Sequence, residues 1–83
     1  MQTETPNYGQ QDHRVKFLRY LKDEERFTIP ELAEKSMHSQ DTVKAWLSAS
    51  PMRKRDVTDR AIAMLLQNLG RSYEEYKEIA ARR

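Results

Sequence analysis

TIPELAEKSMHSQDTVKAWLS, residues 28–48, holds two short helical patterns separated by a brief interruption, and this stretch decides what fold the chain can form. Thr28 can accept a hydrogen bond from the free amides of the next turn. Pro30 sits early enough that its missing N–H costs nothing, and Glu31 stands at capping-box spacing from Thr28. A helix starts here. Leu32 and Ala33, with Ile29 one turn earlier, supply its buried stripe, while Glu31, Glu34 and Lys35 face water. Ala33 is small enough to let another helix approach its backbone closely.

The second helix begins at Ser39, a good N-cap, with Asp41 placed to favour the positive end of the helix dipole. Val43, Trp46 and Leu47 fall at i, i+3 and i+4 and form one apolar stripe. A rotation of about 100° per residue leaves Asp41, Lys44, Ala45 and Ser48 on the opposite face, and Gln40 projects from the leading end. The plain reading makes the stripe core and the other face merely solvated. The functional reading makes the other face a recognition surface, and the two are compatible.

These residues carry a resemblance. The segment is similar to the helix-turn-helix of the phage repressor and Cro-like family, whose pattern runs from a polar start through an alanine in the first helix to a serine-capped recognition helix with a buried Val or Ile. Leu32-Ala33, Ser39, Val43, Trp46 and Leu47 match it over about a quarter of the chain. The chain departs from it in the turn, where the family has hydrophobic-Gly-hydrophobic and this sequence has Ser36-Met37-His38. Glycine tolerates a left-handed backbone at no cost, whereas Met37 must bear strain there or use another turn geometry.

The resemblance implies a sequence-specific, double-stranded DNA-binding transcriptional regulator, a repressor by preference, of phage or plasmid origin, with the helix around 39–49 in the major groove. Gln40 and Ala45 fall where family members present base-contacting residues. In that setting Gln40 can pair bidentately with adenine, Ala45 can meet a thymine methyl, and Lys44 can reach a guanine edge or a phosphate. Asp41 can accept from cytosine N4 or simply stabilise the helix start. Ser39, Thr42, Ser48, Arg53, Lys54 and Arg55 are phosphate candidates, which position without reading sequence. The family usually binds as homodimers on half-sites about 34 Å apart or a multiple of that.

Composition agrees with one small all-α domain. The chain has 83 residues, enough to bury roughly 60 to 65% of its unfolded surface in one modest core. Hydrophobic residues make up 37% and charged residues 34%, a balance that suits a water-facing helical protein. The absence of cysteine excludes a disulfide framework and a thiolate metal site, and no signal peptide or membrane span is evident. A cytoplasmic protein is expected, with no cofactor and no membrane partner.

The net charge is only +2, so total charge does not argue for nucleic acid. Distribution argues more: acidic residues gather in 23–34 and 74–78, whereas Arg53-Lys54-Arg55 follows the second helix, with Lys44 before it and Arg60 after.

The remaining chain reads as support, and the sum is a compact bundle of about five short helices containing the helix-turn-helix. Residues 1–10 show no periodicity and no Lys or Arg, which predicts a disordered N-terminal tail and argues against a minor-groove arm; 11–83 form the single domain. A helix is predicted over about 12–25, burying Val15, Phe17, Leu18 and Leu21, with Phe27 under the next junction. After a loop over 48–55, a fourth helix starts at Asp56 or Thr58, runs to Leu69, buries Ala61, Ile62, Leu65, Leu66 and Leu69, and is closed by Gly70. Ser72 and Glu75 make a capping box for a final helix carrying Tyr73, Tyr76 and Ile79, which close the domain's own core or form a homodimer interface, two uses that can coexist.

Other function classes fare differently. His13 and His38 are far apart, read as surface residues, and have neither metal-ligand nor triad spacing; the Asp23-Glu24-Glu25 run reads as a solvated helix end, and no glycine-rich phosphate loop exists. The sequence therefore reads as a non-enzyme. The standing alternative is a protein-binding adaptor or antagonist of another regulator built on the same helices, which the low net charge and the Met37-His38 turn favour; an antitoxin-like regulator would do both.

Overall fold

A computed structural model describes residues 8–50, 52 and 55–82. They form five helices and, among the described residues, no strand: α1 (Gln11–Asp23), α2 (Ile29–Ser36), α3 (Gln40–Leu47), α4 (Asp59–Leu69) and α5 (Tyr73–Arg82). None is long and apolar enough to cross a membrane.

Local chemistry sets most helix ends. Thr28 Oγ1 accepts the Glu31 N–H at 3.2 Å while the Thr28 N–H donates to Glu31 Oε1 at 2.9 Å, completing the capping box of α2. These bonds, the backbone one first, hold the Glu31 carboxyl below the usual glutamate range. Ser39 Oγ accepts the Thr42 N–H at 3.1 Å to start α3, and Thr58 Oγ1 accepts the Ala61 N–H at 3.1 Å to start α4. The Ser72–Glu75 box starts α5, with Ser72 N–H to Glu75 Oε1 at 2.9 Å and Glu75 N–H to Ser72 Oγ at 3.2 Å. Gly70 closes α4 in the left-handed region at φ 68°.

Met37 takes the same left-handed conformation at the end of α2, with φ 59° and ψ 43°, so the turn keeps the backbone shape that glycine would adopt without strain. The His38 N–H then reaches the Ala33 carbonyl at 2.9 Å, as in a helix terminated by a Schellman turn. Arg26 is the other described non-glycine residue at positive φ, 61°. It turns the chain after α1, which ends at Asp23 rather than Glu25, and lets the Phe27 N–H bond the Leu21 carbonyl at 3.0 Å.

One core unites the helices. Phe17, Leu18 and Leu21 of α1, Leu32 of α2, Val43 and Trp46 of α3, and Ile62 and Leu65 of α4 are fully buried. Each such side chain contributes about 1.5–3 kcal/mol by leaving water. Helix α2 packs on α3 and α4, and α1 packs on α3 and α5. Buried Ser36 satisfies its hydroxyl on the Ala33 carbonyl at 3.3 Å, Asn68 donates to the Lys35 carbonyl at 2.7 Å, and Arg71 pairs with Glu25.

Three expectations need correction. The packed fold begins at Tyr8, not at residue 11: Tyr8 is 7% exposed, its ring meets Tyr73 and Tyr76 edge-on at 5.7 and 5.4 Å, and its carbonyl accepts the Tyr76 hydroxyl. Of the expected disordered tail, residues 1–7 lie outside the described residues. The second concerns the proposed dimer interface. Tyr76 is 2% and Ile79 6% exposed, because α5 turns this stripe onto α1, where Tyr76 meets Phe17 edge-on at 4.9 Å. Tyr73 is half-buried against the same cluster. Those residues close the domain's own core. Third, His38 is half-buried rather than a surface residue, its ring 5.0 Å from that of Trp46, whereas His13 is exposed.

Candidate nucleic-acid interface

The outer side of α3 is set by what anchors its inner side. Val43 and Trp46 are buried and Leu47 half-buried against the core. With that stripe fixed, helical geometry leaves Asp41 and Lys44 exposed, and the structure has them so, with Gln40 exposed at the leading end of the helix. Ala45 is half-buried at the edge of this face. A helix of eight residues is about 12 Å long, so all these groups lie within a short span.

The hydroxyls predicted beside them already have local work. Ser39 is exposed and Thr42 half-buried, and their hydroxyls are 2.9 Å apart while Ser39 also caps the helix. Ser48, half-buried, accepts the Ser50 N–H on its Oγ at 3.1 Å. Each hydroxyl oxygen retains further hydrogen-bonding capacity. The turn before α3 is held by His38, whose Nδ1–H donates to the Ser36 carbonyl at 2.6 Å, fixing its tautomer at that nitrogen.

Arg55 is exposed, and its N–H reaches back to the Ala45 carbonyl at 3.3 Å, which brings the start of the returning chain against the last turn of α3. Arg53 and Lys54, the other two members of the basic triplet, lie outside the described residues. A cation that sequence reasoning missed joins the same region: Arg19 of α1 is exposed, and its Nη2 donates to the Leu47 carbonyl at 3.4 Å, at the C-terminal end of α3. Only the packing of α1 on α3 could reveal it, since the two residues are 28 apart in sequence.

The structure thus brings together Gln40, Asp41, Lys44, Ala45, Ser39, Thr42 and Ser48 on one helix and its caps, with Arg55 and Arg19 at its far end. It separates Tyr73, Tyr76 and Ile79 from them, on α5. Among the described residues no three His, Cys, Asp or Glu side chains gather in a way that could hold a metal ion. Compared with protein-family models, with curated proteins and with solved structures, the chain has no match to any.

Proposed function

We propose that this chain is a cytoplasmic, sequence-specific double-stranded DNA-binding transcriptional regulator, a repressor by preference, in which α2, the 37–39 turn and α3 act as a helix-turn-helix. The observation that carries the reading is the two-sidedness of α3: Val43 and Trp46 are locked in the core while Asp41 and Lys44 stand exposed away from that stripe and Gln40 is exposed at the leading end. A helix of this length fits a major groove about 12 Å wide. Gln40 supplies an amide that matches the adenine edge, Lys44 a donor for guanine or phosphate, and Ala45 a methyl for thymine. Asp41 either accepts from cytosine or serves the helix dipole. Ser39, Thr42, Ser48 and Arg55 sit around this face as phosphate contacts, Arg53 and Lys54 are their sequence neighbours, and Arg19 extends the cationic end. A homodimer remains part of the proposal, its contact drawn from exposed surface rather than from Tyr76 and Ile79.

The test is selection of bound sites from random duplex DNA, followed by titration over salt. Gln40→Ala should cost about 1–3 kcal/mol on the selected site and relax one position. Arg55→Ala should weaken all sequences alike and lower the salt slope by about 0.9. Equal effects from both variants would sink these role assignments, and failure to enrich any sequence would sink the DNA reading.

A second reading, a protein-binding adaptor or antagonist of another regulator, is favoured by Met37, which is 65% exposed in the turn leading into α3. The same titration separates the two. An adaptor gives no preferred operator and no steep salt dependence.

A further inference from the structure

The end of the connection between α3 and α4 is gripped by α1. The Gln11 carboxamide brackets the Val57 peptide groups as a neighbouring strand would: its Oε1 accepts the Val57 N–H at 2.6 Å and its Nε2 donates to the Val57 carbonyl at 2.9 Å. Arg14 adds a second donor to the same carbonyl, from Nη1 at 2.6 Å, while its Nη2 pairs with Asp59 at 2.5 Å and its Nε donates to the Gly9 carbonyl at 3.2 Å. All three guanidinium nitrogens are therefore committed inside the protein, and the Arg14 side chain is only 15% exposed. This cation is used to hold backbone, not to meet a ligand.

Two residues before the gripped Val57 stands Arg55, exposed and tied to Ala45 of α3 by a backbone bond. Val57 is itself fully buried, so its place is set by side-chain packing and by α1 together. We propose that Gln11 and Arg14 are positioning residues for the interface: from α1 they fix the chain after α3 so that Arg55 is presented beside the outer face of that helix. The inference rests on the DNA-binding reading. It assigns affinity in part to two side chains that touch no nucleic acid.

The experiment uses Gln11→Met, which keeps length and helix propensity but removes both bonds to Val57. The full chain is titrated against the selected duplex over a range of salt, beside the wild type, with amide exchange at Val57 measured on the free protein. Loss of one held phosphate contact lowers the salt slope by about 0.9, which is roughly tenfold in affinity near 50 mM salt, with the preferred sequence unchanged and Val57 exchange faster. A variant of lower stability but intact geometry would weaken binding with the slope unchanged, and that result would overturn the inference. So would wild-type affinity and slope in the variant, which would leave the DNA reading standing. No binding by the wild type would overturn the reading and the inference together. Should Gln11→Met lose its fold, Gln11→Ala, which likewise removes both bonds to Val57 without adding charge, is judged by the same slope criterion.

Discussion

Replacing Tyr8 with alanine measures whether the chain ahead of α1 belongs to the fold. The ring is 7% exposed and makes edge-to-face pairs with Tyr73 and Tyr76, each of a kind that contributes about 0.5–1.5 kcal/mol beyond area burial. Truncating a buried large aromatic to alanine costs about 3–5 kcal/mol. Here the lower end applies, because Tyr8 also lines an open groove of about 220 Å³ with Gly9, His13, Tyr76 and Lys77, so water can refill part of the space. The Tyr8 carbonyl that accepts the Tyr76 hydroxyl survives the substitution. The expected loss is therefore about 3 kcal/mol, and for a domain of this size that lowers Tm by roughly 12–24 °C. Thermal and urea unfolding followed by circular dichroism supply both numbers. A loss under about 1 kcal/mol, the size of an ordinary surface change, would mean that the residues before α1 are a tail and that this packing is wrong.

Other outcomes follow from the same structure. Burial pushes the Tyr76 phenol up to about 12, with Arg14 partly opposing, and burial chiefly raises Tyr8 as well. The unfolded chain therefore loses these protons first as pH rises, so the contribution of the two tyrosines should be flat below about pH 10 and stability should fall between about 10 and 12; urea midpoints across that range, with Tyr76→Phe flattening the fall, check it, and a rise would contradict it. Met37→Gly should relieve about 1–2 kcal/mol of left-handed strain against about 0.5–1 kcal/mol of added unfolded-state entropy, for a net gain of about 0.5–1 kcal/mol. A lower midpoint in that variant would show that the Met37 side chain holds the turn.

What could be seen in the sequence was mostly what neighbours in the chain determine. Thr28 with Glu31, Ser39, Thr58, Ser72 with Glu75, and Gly70 each announce a helix end through bonds that span no more than a few residues, and all serve there. The exposed side of α3 was legible for a related reason: once Val43 and Trp46 define the buried stripe, the remaining positions follow by rotation. Tyr8 and Val57 were not legible, because neither sits in a periodic segment and their burial depends on partners far away in sequence, Tyr76 for one and Gln11 for the other. The stripe of Tyr76 and Ile79 was readable as apolar, but a stripe does not name its partner, and α1 turned out to cover it. Met37 shows tertiary packing overriding a residue preference: with α2 and α3 both seated on the core, the turn between them takes a left-handed residue whatever its side chain.

Helices α2 and α3 have only eight residues each, well short of the roughly 12–15 at which isolated helices begin to persist in water. A synthetic peptide copied from 28–48 should therefore be a statistical coil despite its good caps. It follows that the groove-sized rod cannot be transplanted alone: any miniature or grafted version must bring along the part of α1 against which α3 packs.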